Sequence, residues 1–570
     1  MRYSISDILS RFLCPYNIKL LRTQNAWILI FLFIIVLVSG TASSSAFFDT
    51  TVLPKQLSAY SLTGVAALIY FICRSFSRDP LNISLNMPVL LFLLYLGVTL
   101  CRHGDIIGIL NLLLSVVVYI LCKEVADEEM LEQIFFMGVI LCACHAIIVS
   151  LWQICKGYNV NGGYDTVSGF SLILALLFVY VMNYFRKNEY RIIQLVFLGI
   201  GAVLVFMLSS MRTAIIAVCC SFIFVVRLKL RIYVAIIGIM AIVILSISKI
   251  DSTYGRYNIY KTSLSMLDNP KDILFGRGST GFRSSYMLYQ AERLKGESKI
   301  TRRLADNIKH PLNDFLLFAV NYGILLLLIG IILFITFICK NGQDFLAISL
   351  FITIVVYAFF TYPFHYPLTY IMCAFAFARS HNKISIASIR YRKYVAILFS
   401  LSGMIIGTML MVMSIKLFTW NRDWKKAYIN GMYGIISSSL TEYNRLAESM
   451  VVTNEFYYNW AYMLMLANKT ESAVNVISKC EIVDYDTQML KGDLSVSIDE
   501  LNNALRYYRE ASEMCPNKLM PLYAQFRIYD KIGNGVEKYS VGHKILLMEE
   551  KVPSRITKDI KENVIKSMYY

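Results

Sequence analysis

The chain has 570 residues, of which 57% are hydrophobic and 16% are charged, and its formal net charge is +17. Soluble globular domains hold a smaller apolar fraction, so this composition excludes a soluble protein as the class of the whole chain. In a polytopic membrane protein an excess of Lys and Arg is explained by the loops on the cytoplasmic side. We therefore predict a lipid bilayer as the environment and no nucleic-acid partner.

Apolar runs long enough to cross a membrane recur along the first two thirds of the chain. A helix needs about 20 apolar residues to cross a hydrocarbon core of about 30 Å. The sequence therefore predicts an all-α polytopic membrane protein with about 12–13 transmembrane helices in residues 1–418. The predicted spans are 25–41, 57–73, 87–101, 106–122, 134–154, 168–184, 192–209, 213–228, 231–248, 313–339, 345–361, 364–378 and 394–416.

Basic residues alternate in number from one junction between spans to the next. When the N-terminus is placed in the cytoplasm, the cytoplasmic junctions carry nineteen Lys and Arg, against four in the short external ones. Because cytoplasmic loops carry this excess, the N-terminus is predicted to be cytoplasmic, and thirteen spans then place the C-terminal part outside. Long loops escape the rule, so the basic segment 249–312 is also predicted to lie outside.

The polar segment 249–312 interrupts the apolar region and is predicted to be a large external catalytic loop. It holds Arg256, a glycine-rich turn near residue 278, and His310 at the mouth of the following span. Arg side chains bind phosphate through a bidentate fork. A neutral imidazole can accept a proton from a hydroxyl group. This combination at a membrane surface favours transfer from a lipid-linked phosphate donor to a hydroxyl acceptor.

Each of these residues also has a structural interpretation. Arg212, at the external start of a span, can simply reach the membrane interface, and a His beside a Pro, such as His310, is often structural. The spacing of Gly276, Gly278 and Gly281 resembles a dinucleotide loop, but no strand precedes it. No carboxylate motif indicates a metal site or a glycosidase pair, so no metal and no cofactor are predicted.

The composition changes near residue 420 to a soluble, helical pattern. Ala504, Tyr508, Ala511 and Pro516 have the spacing of the second helix of a tetratricopeptide unit. We therefore predict a tetratricopeptide-like helical-repeat domain in residues 420–570, with a generic helical bundle as the alternative. Such repeats bind a protein partner or brace a neighbouring domain.

Three motifs resemble the O-antigen ligase family, which also includes O-antigen polymerases and protein O-oligosaccharyltransferases. The run MRTA at 211–214 opens a span, and the run GRYNIY at 255–260 begins the external loop. The run HPLNDFL at 310–316 leads into NYGIL at 321–325. Together the motifs cover about residues 205–335.

The resemblance implies a C-type glycosyltransferase fold and a polyprenyl-diphosphate-linked glycan donor. It also implies metal-independent, inverting transfer on the periplasmic face of the bacterial inner membrane, with a periplasmic C-terminal domain. By motif, Arg212 and Arg256 would bind the diphosphate and His310 would be the base. Further candidates are Arg277 and Arg283 for the diphosphate, and Asn313 and Asp314 as support for the base.

The sequence departs from the usual family pattern at two motifs, and its C-terminal repeats are an addition seen in only part of the family. The Asn that often follows the Gly-Xaa-Phe motif is missing after residues 169–171, and Met211 stands before Arg212 where Ser is usual. The acceptor therefore stays open: lipid A–core for a ligase, a growing glycan for a polymerase, or a protein Ser/Thr. A polysaccharide or lipid transporter is an alternative of a different class, but the predicted spans show no internal repeat of the transporter type and almost no charge.

Overall fold

The computed structural model describes residues 26–76, 87–125, 127–187, 212–225, 250–340, 344–379, 393–449, 452–549 and 554–569. Every regular element in these ranges is a helix, which confirms the all-α prediction for them. The chain divides into two compact units. The first comprises Met1–Gly97, Ile106–Ile242 and Ile331–Phe418, and the second Val98–Asp105, Val243–Gly330 and Thr419–Tyr570.

The helices are numbered here in chain order. The apolar part begins with α1 (Ala26–Thr41), α2 (Val52–Phe76), α3 (Met87–Arg102), α4 (Ile106–Glu124), α5 (Glu128–Cys155), α6 (Val167–Lys187) and α7 (Arg212–Val225). The segment predicted as the external loop contains α8 (Ile250–Ser265), α9 (Pro270–Phe275), α10 (Gly281–Leu294) and α11 (Lys299–Leu304). It is followed by α12 (Asp314–Tyr322), α13 (Ile324–Lys340), α14 (Phe345–Phe360), α15 (Pro367–Ala378) and α16 (Lys393–Met432).

Five described helices are long and apolar enough to cross a membrane: α2, α4, α5, α6 and the part of α16 from Ile397 to Met432. Five shorter apolar helices accompany them, in α1, α3, α13, α14 and α15. The predicted spans 192–209 and 231–248 lie outside the described residues. The described helices are thus compatible with a multi-pass membrane protein, and the full number of spans stays a prediction.

The predicted span 313–339 is wrong as a single helix. Helix α12 ends at Tyr322 and α13 begins at Ile324, with Gly323 between them at φ +89°. Only glycine adopts such a conformation readily. The apolar pattern continues across the break, so hydropathy alone did not reveal it.

The junctions predicted as cytoplasmic meet at one cluster of charges in the first unit. Arg379, after α15, lies 3.1 Å from Glu132 of α5 and 2.9 Å from Asp344 at the start of α14. Lys187 at the end of α6 also pairs with Glu132, at 2.9 Å. All these residues come from junctions that are predicted to lie on the same, cytoplasmic side of the membrane.

Lys55 joins junctions predicted to lie on the opposite side. Its side chain is fully buried, and Nζ donates to the carbonyls of Ala42, Thr51 and Gly163 at 3.0–3.1 Å. A buried ammonium group is stable only when its donors are satisfied, and here three carbonyls do so. The Tyr164 ring, 4.7 Å away, adds a cation–π contact.

The C-terminal part consists of helices that pack in chain order. They are α17 (Ile436–Ala447), α18 (Asn454–Leu466), α19 (Thr470–Ser478), α20 (Tyr485–Ser497), α21 (Leu501–Met514), α22 (Met520–Lys531), α23 (Gly535–Leu547) and α24 (Arg555–Tyr569). Each of them contacts the next. Ala504, Tyr508 and Ala511, singled out by their spacing, are all buried on α21.

Two backbone turns cross closely in the second unit. Gly276 has φ +75° and lies against the backbone of Asn321 and Tyr322, where an added Cβ would overlap the Asn321 carbonyl. Gly323 lies in the same way against the carbonyl of Leu274. The amides of Arg277 and Gly278 donate to the carbonyls of Val320 and Asn321, both at 2.9 Å. This crossing fixes the glycine-rich turn against the end of α12.

We predict that Gly323→Ala lowers the unfolding temperature of the purified protein by at least about 2 °C. The variant forces a side chain into a glycine-only region, at a cost of about 1–3 kcal/mol, and adds the backbone overlap. Gly255→Ala is the matched control, because Gly255 lies within α8 with no atom within 4 Å of an added Cβ. It should raise stability by about 1 kcal/mol. Equal unfolding temperatures for the two variants would contradict the crossing.

Candidate functional site

The candidate site lies in the second unit, where α8 meets the turn before α12. Arg256 and Tyr260 are one helical turn apart on α8, and the Arg256 side chain contacts the Tyr260 hydroxyl. That hydroxyl donates to the carbonyl of Leu312 at 3.2 Å, and the Asn313 side chain contacts it as well. The structure thus brings together the predicted residues Arg256, His310, Asn313 and Asp314.

His310 is held at both ring nitrogens. Nδ1 accepts a hydrogen bond from the Leu312 amide at 3.0 Å, and Nε2 lies 3.4 Å from Oδ1 of Asp314. The imidazole is one-quarter exposed, whereas the Asp314 carboxylate is almost fully buried. An acceptor at Nδ1 places the proton of the neutral ring on Nε2, facing Asp314. Asp314 therefore orients the ring in this tautomer.

This geometry defines what His310 can do. The lone pair of the neutral ring is at Nδ1, where the Leu312 amide occupies it in this conformation. A hydroxyl group that gives its proton to His310 must take the place of that amide. Leu312 has φ +55°, a conformation that costs a non-glycine residue about 1–2 kcal/mol. Nδ1 is open to such a hydroxyl only when the Leu312 amide moves away from it.

Asn313 and Asp314 also begin helix α12. The Asn313 side chain accepts from the Leu316 amide at 3.0 Å and so caps the helix. Asp314 is the first helical residue, where a negative charge is stabilised by the helix dipole. The support predicted for these two residues thus has a local structural basis: the cap fixes the position of the carboxylate that faces His310.

Tyr260 is a site residue that the sequence analysis missed. Burial raises the pKa of Tyr260 above its ordinary value, against the opposing influence of Arg256 and Asn313. The phenol therefore stays protonated and donates to the Leu312 carbonyl. Its position four residues after Arg256 could have indicated it, because residues at this spacing share one face of a helix.

Asn321 is a second residue whose role the sequence analysis missed. Its side chain is buried, donates to the Ser279 carbonyl at 3.0 Å and accepts from the Phe282 amide at 3.0 Å. One side chain thus holds both sides of the glycine-rich turn to the end of α12. No pattern near Asn321 in the sequence indicates this partner, about 40 residues away.

Arg277 and Arg283 are engaged with protein carboxylates. Arg277 lies 2.8 Å from Asp268 and 3.2 Å from Asp272, and also donates to the Tyr289 hydroxyl at 2.8 Å. Arg283 pairs with Glu455 of α18. A diphosphate would have to compete with these carboxylates, and the predicted diphosphate role of both residues stays a prediction.

Arg212 is the first residue of α7, and its side chain lies outside the described residues. It belongs to the first unit, whereas Arg256 and His310 belong to the second. Its predicted convergence with Arg256 on one ligand therefore stays a prediction. Across the part of the chain that the structure describes, no group of three His, Cys, Asp or Glu side chains has an arrangement that could hold a metal ion.

No protein-family model matches the chain, and no curated protein sequence matches it.

Proposed function

We propose that this protein transfers a glycan from a polyprenyl-diphosphate donor to a hydroxyl acceptor, at the external face of a bacterial inner membrane. The observation that carries the proposal is the His310–Asp314 pair with Arg256 and Tyr260 beside it. A histidine oriented by a buried carboxylate is a suitable general base. The guanidinium of Arg256, which contacts the Tyr260 hydroxyl that bonds to Leu312 of the same turn, is suited to a diphosphate.

The proposed reaction is a single displacement. The acceptor oxygen bonds to the anomeric carbon of the donor while the bond from that carbon to the diphosphate oxygen breaks. The hydroxyl proton passes to Nδ1 of His310, and the diphosphate leaves with its added negative charge stabilised by Arg256 and Arg212. Attack opposite to the leaving group inverts the anomeric configuration. Asp314 stabilises the imidazolium that forms, since Nε2–H faces its carboxylate.

The acceptor defines the variants of this proposal. Lipid A–core would make the protein an O-antigen ligase, whereas a growing glycan or a protein hydroxyl would make it a polymerase or an oligosaccharyltransferase. The motif at 310–316 favours the ligase. The proposal includes a C-type glycosyltransferase fold and tetratricopeptide-like packing of α17–α24, which the chain-order packing of these helices supports. A protein partner would bind to the exposed faces of these helices.

We expect His310→Ala to lower turnover by roughly 10²–10⁴-fold, the usual contribution of a general base, and Asp314→Asn to lower it by a smaller factor. Binding of the donor should change little. The assay is chromatographic detection of glycan transfer from a synthetic polyprenyl-diphosphate oligosaccharide by the purified protein. His543→Ala is the control, since His543 is exposed on α23. Turnover close to wild type for His310→Ala would show that His310 is structural.

Replacing the proposed diphosphate ligands by Lys keeps the charge but removes the bidentate fork. Arg256→Lys and Arg212→Lys should each lower turnover by roughly 10²–10³-fold, as loss of a group that stabilises developing charge does. Lys299→Arg, an exposed change on α11, should have no effect. Activity should persist in excess EDTA. Loss of activity in EDTA with recovery in magnesium would overturn the metal-independent mechanism, and Lys variants with wild-type rates would overturn the role of the fork.

The proposal requires the second unit to lie outside the cytoplasm. An alkaline phosphatase fused after Tyr570 should therefore be active, because this enzyme folds only in an oxidising compartment, and a cytoplasmic fluorescent reporter there should be dark. A reporter fused after Lys187, predicted to be cytoplasmic, should show the reverse. A bright cytoplasmic reporter at Tyr570 would contradict the location of the proposed active site.

A further inference from the structure

The segment that carries His310 shares a hydrophobic core with the C-terminal helices. Phe282, Tyr286 and Met287 of α10 are almost completely buried in one cluster with Ala511 and Met514 of α21. Residues this deeply buried lose contacts when either side moves. The C-terminal helices are therefore part of the structure that holds α10 in place.

A buried glutamine joins this core to the segment that leads to His310. Nε2 of Gln290, on α10, donates to the carbonyl of Asp306 at 2.9 Å and to that of Met514 at 2.8 Å. Gln290 is 6% exposed, so neither carbonyl can replace this donor with water without local opening. Asp306 precedes His310 by four residues. The amide of Gln290 thus fixes that segment to the end of α21.

Two further side chains connect the same segment to the C-terminal helices. Nδ2 of Asn517, just after α21, donates to the carbonyls of Arg303 and Ala305 at 2.9 and 2.6 Å. Asn307 donates to Asp486 of α20 at 2.9 Å. Three consecutive residues, 305–307, are therefore connected to the C-terminal part. Ala305 and Asn307 bond to it directly, and Asp306 is connected to it through Gln290. Such dense attachment restricts where the next residues, up to His310, can lie.

The glycine-rich turn and the start of α10 are also bonded to the C-terminal part. Arg283 pairs with Glu455, and the Thr280 hydroxyl donates to Glu481 at 3.2 Å. Burial raises the pKa of Glu455, but the guanidinium of Arg283 and hydrogen bonds outweigh it and hold the pKa below its usual value. The carboxylate is therefore charged at neutral pH and remains a partner for Arg283.

We propose that α18, α20 and α21 are the scaffold that positions the His310 turn, with Gln290, Asn517 and the Arg283–Glu455 pair as positioning residues. In this arrangement the C-terminal part is a structural component of the active site. Arg283 acts through Glu455 and does not bind the donor. The kinetic consequences rest on the proposed glycan transfer, whereas the structural ones do not.

The first test compares two buried glutamines. Gln290→Leu keeps the size of the side chain and removes the donor shared by α21 and the His310 segment. Gln525→Leu is the matched control, because Gln525 is 5% exposed and donates only to Pro521, within its own helix, at 3.3 Å. Asn517→Asp is a milder second variant that removes the donor at 305 and keeps the size.

The first measurement is hydrogen exchange, which needs no activity. Gln290→Leu and Asn517→Asp should speed exchange of the peptide spanning 305–312 by about tenfold or more, while Gln525→Leu leaves it unchanged. In the transfer assay kcat should fall by about tenfold to a hundredfold, the range expected for a misplaced catalytic group, with KM for the donor unchanged within about twofold. Wild-type exchange in both Gln290→Leu and Asn517→Asp would overturn the proposal. If Gln290→Leu fails to fold, Asn517→Asp decides the outcome.

The second test exchanges the charges of the ion pair. Arg283→Glu and Glu455→Arg should each lower kcat by about threefold, a modest effect because the pair is partly exposed. The double variant Arg283→Glu with Glu455→Arg should recover to within about twofold of wild type. A double variant as impaired as Arg283→Glu alone would show that Arg283 binds substrate and would overturn its positioning role. Absence of transfer by the wild-type protein would refute the proposed function only, and the exchange measurement would still decide the scaffold.

Discussion

The close crossing of two backbone turns, at Gly276 and Gly323, is the constraint on which the rest of the second unit depends. Backbones can approach this closely only where neither residue carries a Cβ. At this distance two amides of the glycine-rich turn donate hydrogen bonds to carbonyls at the end of α12. The Asn321 side chain adds hydrogen bonds to Ser279 and Phe282. Helix α12 begins nine residues earlier, at Asp314, so the crossing sets the position of the carboxylate that faces His310.

Direct contacts connect this crossing to each residue of the site. The Asn313 cap determines where α12 begins, Asp314 orients the imidazole, and Tyr260 fixes the Leu312 carbonyl from α8. The C-terminal helices then hold α10 and the segment before His310 through a shared core and the Gln290 amide. The proposed chemistry thus uses few residues, but their positions depend on contacts between parts of the chain more than 200 residues apart.

Sequence periodicity predicted the parts of the fold that depend on the pattern of residues within a single helix. The helical class followed from apolar runs of membrane length, and the spacing of Ala504, Tyr508 and Ala511 indicated the buried face of α21. The pairing of Asp314 with His310 corresponds to the supporting role that the family resemblance suggested for Asp314. The break at Gly323 was missed because apolar residues continue on both sides of it, and hydropathy does not register backbone angles.

Long-range contacts could not be predicted from one sequence. Nothing near Gln290 indicates Met514, 224 residues away. The family resemblance implied that Arg277 and Arg283 bind the diphosphate. Glu455 lies 172 residues after Arg283 and meets it only in the fold, whereas Asp268 and Asp272 are close to Arg277 in the sequence and were overlooked as its partners.

The most direct test of the proposed glycan transfer is the lipid-linked glycan content of a strain that lacks this gene. Polyprenyl-diphosphate-linked glycan should accumulate in this strain, and the glycan should be lost from its acceptor. A His310→Ala copy of the gene should neither remove the accumulated donor nor restore the glycan to the acceptor. Loss of capped lipopolysaccharide would identify a ligase, a single repeat unit on the core a polymerase, and loss of glycoproteins alone a protein glycosyltransferase. An unchanged pool of lipid-linked glycan with all acceptors normally modified would contradict the proposed function.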